Sequence, residues 1–168
     1  MGRLTRGLGL LLVVAPVVHA DAAAETKLEG HAAPIRWLEF SPGGRLVASA
    51  ADDGTVRLWD VAAGKVRHVL AVPGGSKAKG VLCAAFSPDG KTLAACRPGR
   101  VQLWDAASDK RLAGSTDPGE TRSLAFSPDG KTLAVGAGAA AVLCDPATLK
   151  PRGTLHAHVF QLHHDVVD

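Results

Sequence analysis

The sequence predicts an all-β chain built from small, stacked, four-stranded antiparallel sheets, and three observations carry that expectation. The phrase Phe-Ser-Pro-Gly/Asp-Gly-Arg/Lys starts at Phe40, Phe86 and Phe126, a spacing that marks a stacked-repeat architecture. Each copy is followed by short runs that alternate apolar and polar residues between Gly-, Pro- and Asp-rich turns, the pattern of strands in hairpins. Beyond the first 20 residues no 3.6-residue apolar period favours a helix.

The elements follow in order from Phe40. Ile35–Phe40 reads as a strand, and Ser41-Pro42-Gly43-Gly44 as a tight turn. Leu46–Ser49 is a second strand, closed by Asp52-Asp53-Gly54, the Asp-Gly chemistry that favours hairpins. Val56–Trp59 alternates as a third, and after Ala62-Ala63-Gly64 a fourth covers Val66–Val72. The next cycle places strands near Val81–Phe86, Thr92–Ala95, Val101–Trp104 and Arg111–Ala113. The last places them near Arg122–Phe126, Thr132–Val135, Ala141–Cys144 and Arg152–Leu155.

The first 20 residues read as a secretory signal: a short basic start with Arg3 and Arg6, a 12-residue apolar run over Gly7–Val18, and Val18-His19-Ala20 as a cleavage site. The run is too short to cross a bilayer as a helix. The expectation is therefore an exported protein, periplasmic or secreted, with no membrane attachment beyond export. Without Arg3 and Arg6, 17 basic residues face 16 acidic ones, a net charge of +1, which gives no electrostatic footprint for nucleic acid. Cys83, Cys96 and Cys144 form no Cys-x-x-Cys pair and sit in apolar stretches as small hydrophobes. Cys83 and Cys96 flank one turn and could face each other across a hairpin, so an exported chain leaves a disulfide open there.

The first copy carries further signals. Gly30-His31 precedes its first strand and Trp59-Asp60 closes its third. With the repeat, these residues resemble the WD-repeat (WD-40) β-propeller family over about residues 25–155. The resemblance implies propeller blades of four antiparallel strands: three over residues 21–155, the truncated start of a fourth over 156–168, and an incomplete ring. It also implies a buried structural hydrogen-bond network of His31, Ser49, Asp53 and Trp59, in which Asp53 orients the imidazole and Ser49 joins it to the indole N–H. The later copies lose it. Lys77, Ala95 and Arg97-Pro98-Gly99 stand at the equivalent places of the second, which keeps Trp104-Asp105. Asp117, Val135 and Cys144 stand in the third. Those two blades are expected to rest on apolar packing and to be softer.

Several chemistries compete with this structural account. Ser49, His31 and Asp53 are the residue types of a hydrolase triad, but no Gly-x-Ser-x-Gly elbow accompanies them. His156, His158, His163 and His164 could bind a metal, yet Leu155-His156-Ala157-His158 parallels Leu28-Glu29-Gly30-His31, so His158 reads as the opening histidine of another copy. The Asp-Gly turns lack a calcium-loop pattern. Gly74-Gly75 with Lys77 and Lys79 lacks the rest of a phosphate loop. The resemblance thus implies a protein-protein interaction or scaffold module without catalysis or cofactor, its partner unspecified. The rivals are a fragment of an exported propeller enzyme (a quinoprotein-like dehydrogenase or a lyase) and a truncated gene product without function. An open arc of three blades leaves two apolar faces in water, so self-association to complete the propeller is a further expectation.

Overall fold

A computed structural model describes residues 27–73, 80, 81, 83–116 and 121–156. Twelve strands form three four-stranded antiparallel sheets, each in simple sequential order. The first blade contains β1 (Ile35–Phe40), β2 (Leu46–Ala51), β3 (Thr55–Asp60) and β4 (Lys65–Ala71). The second contains β5 (Cys83–Phe86), β6 (Thr92–Arg97), β7 (Arg100–Asp105) and β8 (Arg111–Thr116). The third contains β9 (Thr121–Phe126), β10 (Leu133–Ala137), β11 (Ala140–Cys144) and β12 (Pro151–His156). The sheets are open rather than closed into a ring, as the sequence predicts, and each expected strand lies within two or three residues of an observed one.

The repeated phrase is a turn that satisfies its own backbone. Ser87 N–H donates to the Thr92 carbonyl at 2.8 Å and Gly90 N–H to the Ser87 carbonyl at 2.8 Å. The Ser87 hydroxyl donates to Asp89 at 2.6 Å while accepting from Thr92 N–H at 2.9 Å. Ser127, Asp129, Gly130 and Thr132 repeat these bonds. Gly90 and Gly130 close the turns at φ 69° and 70°, a left-handed conformation in which a side chain would be strained. The hydroxyl and backbone N–H bonds hold Asp89 and Asp129 below the usual carboxylate range.

The blades meet through period-2 faces. Between the first and second lie Leu46, Ala48, Ala50, Val56 and Leu58 on one side, with Ala84, Phe86, Leu93, Ala95 and Trp104 on the other. Between the second and third lie Cys83, Ala85, Ala94, Val101 and Leu103, against Leu124, Leu133, Val135 and Cys144. Ala48, Ala50, Ala84 and Ala95 line the first of these contacts, and their small side chains let its two sheets approach closely. The second blade is covered on both faces, and β5 is buried throughout. The first and the third are each covered on one.

Gly80 joins the first two blades. Val81 N–H donates to the Ala51 carbonyl at 2.9 Å, and a Cβ on Gly80 would lie 2.0 Å from Asp52 Cα and 2.6 Å from the Ala51 carbonyl oxygen. These are backbone atoms with no rotamer to yield. Gly80→Ala is expected to cost about 1–3 kcal/mol in urea denaturation, the range for overpacking; an unchanged midpoint would show that the joint can open freely.

Cys83 and Cys96 are directly paired across β5 and β6, as their positions around the turn allow. Both are buried free thiols, and so is Cys144. A hydrogen bond with Cys96 and burial push the Cys83 thiol up, and burial does the same to Cys144. Thiols so raised are poor nucleophiles and act here as core hydrophobes.

Candidate functional site

The four residues singled out from the first copy converge. His31 sits just before β1, Ser49 on β2, Asp53 in the β2–β3 turn and Trp59 on β3. Trp59 Nε1–H donates to Ser49 Oγ at 2.7 Å. Ser49 Oγ lies 2.7 Å from His31 Nε2, and His31 Nδ1 lies 2.8 Å from Asp53 Oδ2. The carboxylate only accepts and the indole only donates, which sets the direction of the chain for a neutral imidazole. Nδ1–H donates to Asp53, the Ser49 hydroxyl donates to Nε2, and the indole N–H donates to Ser49. The imidazole also meets the Trp59 ring edge-on, with centroids 6.3 Å apart.

Asp53 carries more than the imidazole. Its Oδ2 accepts Ala32 N–H at 3.1 Å, and its Oδ1 accepts Thr55 N–H at 2.9 Å and the Thr55 hydroxyl at 2.7 Å. Partial burial pushes the carboxyl up, but the hydrogen bonds from His31, Thr55 and Ala32 outweigh it and hold Asp53 far below the usual carboxylate range. A carboxyl depressed on folding adds stability above its unfolded value of 3.8, and that increment is lost as pH falls toward the lower folded value. The stability difference between the native chain and Asp53→Asn is therefore expected to stay level above about pH 5 and to shrink steadily below 3.8. Urea melts at a series of pH values measure it, and a difference constant to pH 2 would show that ionised Asp53 contributes nothing.

Ser49, His31 and Asp53 have the order of contacts of a hydrolytic triad, yet the geometry closes that use. Ser49 is 1% exposed, and its oxygen is held between the indole N–H and the imidazole. A nucleophile must reach its substrate, and this one is walled in by its own partners.

Thr55 and Asp145 are positioning residues that the repeat alignment did not single out. Thr55 braces Asp53. Asp60 and Asp105 end their third strands and Asp145 directly follows its own, and each accepts backbone N–H groups of the next turn: Ala63 at 2.9 Å, Ala107 and Ser108 at 3.0 and 2.8 Å, Ala147 and Thr148 at 2.9 and 3.0 Å. Asp145 keeps this role although Cys144 has replaced the tryptophan; its own sequence position was the available signal. Arg36 pairs with Asp52, and Arg152 with Asp145. Glu39, facing the second blade, is pushed up by burial, against hydrogen bonds from Phe86 N–H and the Trp37 indole.

A second feature lies on the rim formed by the repeated turns. A groove of about 770 Å³ opens between the second and third blades, lined by Pro88, Asp89, Leu112, Phe126, Pro128 and Asp129 among others. It places exposed apolar surface beside two carboxylates held ionised.

His156 is exposed on β12, and no group of three or more potential metal ligands occurs among the described residues. His158, His163 and His164, Lys77 and Lys79, Asp117, the leader at 1–20 and all of the proposed fourth copy beyond His156 lie outside the described residues.

The family described as WD domain, G-beta repeat matches residues 24–60 and 65–105. The structure superposes on the crystal structure of RRP9 WD40 repeats with a TM-score of 0.71 and 30% identity, over 78% of this chain and 41% of that one. Residues 24–60 and 65–105 are WD repeats. A second solved structure, that of U3-55K, aligns with a TM-score of 0.70 and 30% identity, over 78% of this chain and 42% of the other. Among curated relatives, Periodic tryptophan protein 2 of Arabidopsis thaliana is 44% identical over 84 residues, 46% of this chain and 8% of its own length. Ribosome biogenesis protein BOP1 of Homo sapiens is 40% identical over 91 residues, 52% of this chain and 12% of its own. Small ribosomal subunit protein RACK1y of Oryza sativa subsp. japonica is 36% identical over 83 residues, 49% of this chain and 23% of its own. This WD-repeat chain thus spans less than a quarter of the length of these three relatives.

These relatives correct the expectation of export. BOP1 and RACK1y are named for ribosome biogenesis and the ribosomal subunit, and that work is done inside cells. The arginines and apolar run at the start are a compositional signal, whereas the matches rest on the folded repeats.

Proposed function

We propose that the chain is a non-catalytic protein-binding segment of a WD-repeat scaffold, which engages its partner along the rim of repeated turns. The rim groove between the second and third blades carries this reading. Its walls pair prolines, Leu112 and Phe126 with the carboxylates of Asp89 and Asp129, a surface suited to a peptide that sets a basic side chain among apolar ones. The relatives named for ribosomal assemblies support a role in protein complexes. The triad-like set favours structure over catalysis because Ser49 is sealed.

A peptide array of basic-apolar sequences beside their charge-reversed counterparts tests the rim. Basic members should bind the native chain, and Leu112→Asp should weaken the binding at least several-fold. Preference for acidic peptides, or indifference to Leu112→Asp, would refute the groove. Ser49-dependent hydrolysis of p-nitrophenyl acetate would refute the non-catalytic assignment.

A further inference from the structure

The two outermost faces of the described blades are counterparts of faces already joined inside the molecule. Phe86 and Phe126 occupy the same repeat position, and each packs toward the preceding blade: Phe86 is 5% exposed, and Phe126 lies against the core shared by the second and third blades. Phe40 holds that position in the first blade and is 63% exposed, with Leu38 beside it at 62%. Strand register extends this face as two files: Phe40, Val47, Trp59, Val66 and Leu38, Ser49, Arg57, Val69. Val66 and Val69 are also exposed, and Arg57 Nε is buried without a hydrogen-bond partner.

The opposite end offers the matching half. Leu58 and Leu103 stand at one repeat position and lie in the two internal contacts, in the same clusters as Phe86 and Phe126. Leu143 holds that position in the third blade, in one file with Ala125 and Ala134, where Leu58 has Ala48 and Leu103 has Ala94. Ala125 is exposed and Leu143 half-buried.

We propose that this chain pairs head to tail with a second copy of itself. The face carrying Phe40 on one copy seats on the face carrying Leu143 on the other, at two symmetry-related contacts that close a ring of six blades. The docking repeats the two contacts within each copy, and rings of four to eight blades are the sizes such sheets close into. A closed pair leaves neither face in water, whereas the same contact without closure would build open filaments. The pairing faces share no residue with the rim groove.

Sedimentation equilibrium of the 168-residue chain, over a range of concentrations, tests the pairing. The expected mass is twice the chain's 17.2 kDa, and a chain monomeric throughout overturns the proposal. Phe40→Asp and Ala125→Arg each damage one face and should each give monomers. Mixed in equal amounts they should regain a dimer, because one undamaged contact remains between a Phe40→Asp chain and an Ala125→Arg chain. An Ala125→Arg variant that stays dimeric, or a mixture that stays monomeric, would show that the copies do not meet head to tail. Both positions are exposed in the single chain, so far-UV circular dichroism should match the native chain. Leu38→Asp and Ser123→Arg replace either variant that fails to fold.

Discussion

Leu58→Ala is expected to destabilise the chain by about 2–5 kcal/mol, the range for deleting a buried leucine side chain from a core. Leu58 is on β3, 0% exposed, in the cluster that joins the first and second blades through Ala48, Ala50, Phe86, Leu93 and Trp104. The alanines of that cluster have nothing to extend into the space, and the strand ladders on both sides resist collapse. The cost should therefore fall toward the upper part of the range. Urea melts followed by tryptophan fluorescence measure it, since Trp104 lies within the contact itself. A midpoint within error of the native chain would mean that the two sheets are not coupled through this face.

Ser49→Ala follows as the largest effect on the polar site. The hydroxyl both accepts from the Trp59 indole and meets His31 Nε2, so its removal strands two groups, one of them on a residue only 3% exposed. A buried group left without its partner costs about 1–3 kcal/mol, and two are affected. Ser49→Thr, which keeps the oxygen, should recover part of the loss. Equal losses for Ala and Thr would assign the effect to packing instead of hydrogen bonding.

Much of this was legible before any coordinates. The turn chemistry of Ser-Pro-Asp-Gly and the period-2 alternation place the strands, because both are local: each turn closes on its own hydroxyl, carboxylate and backbone N–H groups. The resemblance of the first copy to WD repeats singled out His31, Ser49, Asp53 and Trp59, which the structure brings within hydrogen-bonding distance. Thr55, Glu39 and the retained cap at Asp145 were not marked. Their roles depend on which backbone N–H groups and side chains come near after the sheets form, and residue type alone does not carry that. The expectation of export did not hold against the relatives, because a short basic and apolar stretch is a signal of composition alone.

By itself, the sequence determined the repeat, the four-stranded unit and the hairpin turns, since those rest on backbone conformations set within a few residues. Only the tertiary structure decided what each repeat position does. Phe40, Phe86 and Phe126 are one phrase in the sequence. Phe86 and Phe126 are seated against the preceding blade, and Phe40 faces solvent. Ser49 and His31, alike in type to a catalytic pair, are buried against an indole. Burial and accessibility arise from which sheet stacks on which face, and stacking is a property of the assembled layers that no single repeat contains.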